Sequence, residues 1–245
     1  VISGATKLIS GQHGGGYGVK RYKSWGENFE ISVVDRFLSW GWSDDSKIVT
    51  PTCVQSHHEI FKPNRNGGVL IVLGPITRNS DIYGMLGVQS NSAYLDNLKK
   101  LVTLLPESIR NQTMIRPKNA SSIGKPARVS GQQIFKIFDG AVEIDFGSVG
   151  LSETLSGNRM SVVTYNETTV PNNLMAGYPM IIFWDAKYEQ LKLHANIFYE
   201  QLLSAKILHH TPESAAQHIA DIWENVDFWW TSEEVLQARE TFCEN

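Results

Sequence analysis

Met160-Ser161-Val162-Val163-Thr164-Tyr165-Asn166-Glu167-Thr168-Thr169-Val170-Pro171-Asn172-Asn173-Leu174-Met175-Ala176-Gly177-Tyr178-Pro179-Met180-Ile181-Ile182-Phe183-Trp184 holds a whole strand–helix–strand unit in one stretch. The apolar runs at 160–164 and 179–184 have the length and β-branching of strands, while the helical reading of 168–176 stops at Gly177. Two strands joined through a helix run parallel. Outward from this unit the alternation continues. Further strands are expected at 7–10, 36–40, 69–73, 113–116, 142–145 and 207–209, with helices at 90–104, 151–157, 187–204, 212–225 and 232–243. This is the pattern of an α/β protein on a Rossmann-like parallel sheet. Thr211-Pro212-Glu213-Ser214 opens one of these helices with a threonine cap and a proline in the first turn.

At 245 residues, 42% hydrophobic and 19% charged, the chain has material for one large domain or two small ones. A net charge of −3 argues against nucleic acid as a partner. Cys53 and Cys243 lie far apart without metal-type spacing, so free thiols and no metal are expected. No run approaches the roughly 20 apolar residues of a membrane span, and no signal-peptide pattern opens the chain. A cytoplasmic location is the expectation. The chain begins at Val1 in strand-like sequence, which reads as part of a longer protein. Between Trp42 and Gly68, Pro51, Pro63 and Asn64-Arg65-Asn66-Gly67-Gly68 read as a linker or long loop. The expected division is therefore a cleft segment at 1–67 and a Rossmann-like domain at 68–245.

Gly11-Gln12-His13-Gly14-Gly15-Gly16-Tyr17-Gly18 sets one imidazole in a glycine-rich turn after the first strand. Gly14 and Gly15 would let a ligand approach bare backbone, and His13 has the chemistry of a general acid, base or phosphate donor. Asp35, 22 positions on, precedes the next strand and is expected to meet His13 at the same sheet end, as nucleophile or base, with Glu30 in support. The bland reading makes Asp35 a strand-start cap and Glu30 a solvated charge. Asn166, Thr168 and Thr169 lie at the start of the 168–176 helix, where a nucleotide phosphate would find hydroxyls and backbone N–H groups. Arg116 and Lys118 close the 113–116 strand and suit a phosphate or carboxylate. The pairs His57-His58 and His209-His210 diverge on strands and are not read as metal sites. Trp223, Trp229 and Trp230 read as helix packing.

Together, Gln12 to Gly18, Asp35 with Ser39-Trp40-Gly41-Trp42, Tyr165 to Thr169 with Ile181 to Asp185, His210 to Ala216, and Trp229-Trp230 resemble one family over nearly the whole chain. It is the family of bacterial transferases found with surface-carbohydrate biosynthesis genes, akin to GT-B glycosyltransferases that use CMP-activated 3-deoxy-sugar acids. The resemblance implies a GT-B-type nucleotide-binding domain, with a CMP-linked donor near Arg116, Lys118 and the 164–169 turn, and His13, Glu30 and Asp35 at the cleft. It also implies a glycan or lipid-linked glycan acceptor, no separate cofactor, no obligatory metal, and a further N-terminal part through which peripheral membrane association would occur. The family's turn reads Tyr-Asn-Ser-Thr-Thr, so Glu167 replaces a serine. Pro171-Asn172-Asn173 stands where a helix with a ribose-binding acid is expected, and the resemblance implies that Asn172 hydrogen-bonds the hydroxyl in its place. Two rivals follow: another nucleotide-sugar or polyol-phosphate transferase on this fold, and a degenerate carbohydrate-binding or scaffold protein.

Overall fold

The computed structural model describes residues 6–21, 25–44, 46–52, 62–74, 76, 91–118, 131–138 and 140–244. Among the described residues two sheets form, and within each every strand pair is parallel. The first is small: β1 (Ile9–Gly11), β2 (Arg36–Trp40) and β3 (Val49–Thr52), in that order, with helix α1 (Trp25–Ser32) between β1 and β2. Phe37, Trp42 and Val49 form its core.

The second sheet holds β4 (Val69–Val72), β5 (Thr113–Arg116), β6 (Glu143–Ile144), β7 (Met160–Val163), β8 (Met180–Phe183) and β9 (Leu208–His209). Their order is β6-β5-β4-β7-β8-β9, the doubly wound Rossmann arrangement. Every residue of β4, β7 and β8 is buried. Central strands of a parallel sheet are covered on both faces, and so read as unbroken apolar runs. The remaining helices are α2 (Asn91–Leu104), α3 (Glu107–Arg110), α4 (Gly131–Phe138), α5 (Leu151–Ser156), α6 (Thr169–Met175), α7 (Leu193–Ser204), α8 (Pro212–Ile222), α9 (Val226–Trp230) and α10 (Glu233–Glu244). Helices α2 and α8 pack together, and α10 packs on α6 and α7. As expected from its sequence, α8 is capped by the Thr211 hydroxyl, which accepts from Ser214 N at 3.1 Å. Among the described residues no helix is long and apolar enough to cross a membrane.

Several local expectations are corrected. Residues 25–32 form a helix, so Glu30 projects from α1 and not from a strand end. The stretch from 42 to 68 is not all linker. It contributes β3, with Pro51 tolerated because β3 is a sheet edge. Asn64 N then donates to Asn158 O at 2.9 Å, and a Cβ at Gly68 would sit 1.6 Å from Gln112 O, so this entry to β4 is tightly docked. Helix α6 does form across Pro171. Proline is accepted there because the first four N–H groups of a helix have no intrahelical partner. Cys53 and His57-His58 lie outside the described residues; Cys243 is a free thiol.

The adjacent His209 and His210 do diverge. His210 Nδ1 lies 3.2 Å from Trp184 O, whereas His209 turns inward to Ser214 Oγ at 2.7 Å and packs on His218. His218 in turn packs edge-on against Trp229. Burial first, then the charges of His209 and Lys206, push His218 down to about 4, against a weaker opposing pull from Asp221. The unfolded chain protonates this group near the ordinary histidine value of 6.5, so the unfolded state binds the extra proton in between. Stability is therefore expected to fall as pH drops from about 6.5 to 4. A Tm series over that range checks it: His218→Phe should flatten the acid limb, and an unchanged limb would acquit this histidine.

Candidate functional site at the seam between the sheets

In a doubly wound sheet, the connections leave adjacent strands toward opposite faces at the point where the winding reverses, and ligands bind in the crevice beyond the carboxyl ends there. That point lies here between β4 and β7. The turn that leaves β7 is Thr164 to Thr168, and the glycine-rich turn that leaves β1 docks directly on it. Gly15 N donates to Thr168 Oγ1 at 2.8 Å. A Cβ at Gly15 would lie 2.4 Å from the Glu167 carbonyl carbon and 2.5 Å from Thr168 N. Glycine is thus required at 15 for backbone-to-backbone contact between the sheets, and its N–H is already used. Gly18 has φ +72, and a Cβ there would enter the Trp42 ring. Gln12 anchors the turn: Oε1 accepts from Trp40 N at 3.0 Å and Trp42 Nε1 at 2.8 Å, and Nε2 donates to Gly14 O at 2.7 Å.

The seam continues past the turn as a short clasp in which Arg21 N donates to Gln190 O and Lys192 N to Val19 O. Lys20 Nζ reaches Glu167 at 3.0 Å and Glu189 at 3.4 Å. Burial pulls the Lys20 ammonium down, but the two carboxylates outweigh it and the net shift is upward. Glu189 is raised, by burial first, with Lys20 opposing. The Glu167 carboxylate, which stands where the family has a serine, is therefore held and neutralised by Lys20. A second ion pair, Lys192 with Glu27 at 3.5 Å, lies on the same seam.

On the open side of the turn, His13 Nδ1 lies 3.5 Å from Glu30 Oε2. The Tyr17 hydroxyl sits 3.4 Å from the imidazole nitrogens and donates to Glu30 Oε2 at 3.0 Å. Burial first, then the Glu30 hydrogen bond and charge, lift the Tyr17 hydroxyl well above the usual tyrosine range, so it remains a donor. His13 is 69% exposed by side chain and Glu30 27%. The imidazole thus faces solvent with a carboxylate and a phenol behind it, an arrangement suited to taking a proton from an incoming hydroxyl.

Asp35 does not join this group. In the parallel register Ile9 pairs with Arg36 and Gly11 with Leu38, so Asp35 precedes β2 while His13 follows β1. The two residues occupy opposite ends of the sheet, separated by four to five residues of strand rise, roughly 15 Å. The Asp35 carboxylate accepts from Leu8 N at 2.8 Å, which is the role of a strand-start cap. Asp35→Asn is accordingly expected to leave turnover within about threefold of wild type, since an exposed cap contributes little beyond local stability. Loss of turnover, or a covalent sugar adduct on Asp35 by intact mass, would reverse this.

Arg116 is also committed elsewhere. Its Nη1 donates to Asp145 at 2.5 Å and Thr154 at 2.7 Å, and Nη2 to Val149 O at 2.9 Å. It ties β5 to β6 and α5, and this leaves little of its fork for a phosphate. Lys118 Nζ lies 5.1 Å from the Tyr165 ring centroid, beside the turn. Asn166 is almost fully buried: Oδ1 accepts from Tyr199 at 2.8 Å, while Nδ2 has no hydrogen-bond partner. The Thr169 hydroxyl pairs with Tyr165 at 2.6 Å, Gly14 lies against Thr168, and Asn172 sits half-buried on α6. The residues not assigned from sequence are Tyr17, Lys20 and Gln12. Only Tyr17 carried a signal, as the one hydroxyl inside the glycine run.

The model of the LIC12162 family transferases matches residues 2–245. The chain belongs to this family. It is thus a transferase, with its winding-reversal crevice capped by the histidine-bearing turn. No curated protein matches this family member.

Proposed function

We propose that this transferase is a glycosyltransferase of GT-B type, moving a sugar from a nucleotide-activated donor, best a CMP-linked sugar acid, to a surface-glycan acceptor. The observation that supports the reading is the docking of the glycine-rich turn, which carries His13, on the turn after β7 of the other parallel sheet. A reaction cleft between two such sheets is the architecture expected of GT-B. The donor nucleotide would lie along Asn166, Thr168, Thr169 and Lys118, beside the buried Asn166 amide nitrogen that has no hydrogen-bond partner.

In this reading His13 takes the proton of the acceptor hydroxyl as its oxygen bonds to the anomeric carbon. The bond from that carbon to the phosphate oxygen breaks, its electron pair leaves with the nucleotide, and Glu30 balances the imidazolium. With Asp35 at the far end of its sheet, a single displacement with inversion is favoured over a covalent intermediate. Cytidine nucleotides are expected to raise the Tm more than uridine or guanosine nucleotides, because a ligand that binds only the native state stabilises it. A screen of CMP, CDP, UDP and GDP tests this, and equal or absent shifts would remove the donor assignment.

A further inference from the structure

Beyond the clasp, the second sheet carries a cleft of about 400 Å³ at the carboxyl ends of β8 and β9. Trp184 and Tyr199 supply its aromatic surface, Asn196 and Glu200 line it from α7, and Arg21 and Glu189 close it from the clasp. Asn196 and Glu200 are four apart on one helix, so they face the cleft together. The Tyr199 hydroxyl is turned away to Asn166, which makes this ring the partition between the cleft and the turn after β7.

The lining decides what fits. Arg21 is the one basic side chain other than His210, against two carboxylates, and its Nη1 is already engaged with Gln190 at 3.2 Å, a poor balance for a phosphate. A nucleobase wants a flat slot. The Trp184 and Tyr199 rings instead touch each other, with centroids 5.7 Å apart and planes tilted by 54°. A sugar ring matches better, because its C–H face lies on an aromatic surface while its hydroxyls donate to carboxylates and accept from amide and guanidinium groups. Glu200 offers such an acceptor from an exposed position on α7, while Glu189, held by Lys20 at 3.4 Å, closes the cleft behind it.

We propose that this cleft binds a neutral sugar ring, as a glycan subsite separate from the donor crevice. It stands on its own residues, and does not require the donor to be a cytidine nucleotide.

The test uses the full chain and saturation-transfer NMR with the methyl glycosides of glucose, galactose and N-acetylglucosamine as probes. At least one is expected to receive saturation at millimolar concentration, most strongly at its ring C–H protons. Replacing Asn196 and Glu200 together by leucine should weaken that binding at least about tenfold, the loss for one or two hydrogen bonds. Leu193→Ala, at an 88% exposed position outside the cleft, should not change it. Should the leucine pair lower the Tm, Asn196→Ala alone carries the comparison. Absence of saturation with all three glycosides, undiminished binding in the variants, or displacement of the glycoside by CMP would each overturn the proposal. Glycoside binding without any nucleotide-induced Tm shift would count against the donor assignment and leave this subsite standing.

Discussion

Lys20→Met is expected to lower the unfolding free energy by about 3 kcal/mol, near the lower end of the cost of removing one partner from a buried ion pair. Lys20 and Glu167 are each 16% exposed by side chain and Glu189 is 6%, so the two carboxylates would be left facing each other with little water. Burial already raises Glu189, and without the ammonium its rise would be larger. A carboxyl raised in the folded state favours folding where it is protonated, and that contribution is lost as pH climbs through its folded value. The deficit of the variant should therefore be smaller near pH 5.5 than near pH 8. Denaturant unfolding at both values reads this directly. Adding Glu167→Gln and Glu189→Gln to Lys20→Met should recover most of the loss, because it is the uncompensated charge and not the missing methylenes that costs. A pH-independent deficit would show that Lys20 acts by packing alone. The same variant loosens the seam that presents His13, so turnover should fall with stability.

His13→Ala is expected to reduce turnover by about 10²–10⁴, the usual contribution of a positioned general base. Donor affinity should hardly change, since the lost interaction belongs to the transition state. Glu30→Gln should cost less, on the order of tenfold, because a neutral amide still hydrogen-bonds Tyr17 but no longer balances an imidazolium. Release of CMP from a CMP-linked sugar acid, measured with and without acceptor, separates the two effects. Wild-type turnover in His13→Ala would exclude the imidazole as base, and a change confined to donor KM would make it a binding group.

Some of this could be read without a structure because the signal was local. The runs Val69 to Val72, Met160 to Val163 and Met180 to Phe183 are apolar at every position, and central parallel strands are the fold's way of burying both faces of such a run. The caps of α8 and the glycine stop after α6 are equally local, since each satisfies or ends a helix with residues within a few positions. The Gly14-Gly15-Gly16 run announced close backbone approach, and close approach is what it provides.

What approaches was not legible. Gly15 meets Glu167 and Thr168, some 150 residues away, whereas the glycines by themselves suit a ligand equally well. The placement of Asp35 failed for a geometric reason: a residue before one parallel strand and a residue after its neighbour are close in pattern but at opposite ends in space. The helix that carries Glu30 shows only in the fold, because eight residues, Trp25 to Ser32, are too few to declare a helical period. Arg116 had the chemistry for phosphate, and only folding showed Asp145 and Thr154 holding its guanidinium. Residue type, apolar period and capping therefore determined the α/β class and most of the elements. The tertiary structure alone decided which charges met, Lys20 with Glu167 and Glu189, His13 with Glu30, because an ion pair depends on distance in space and leaves no trace in the spacing of residues along the chain.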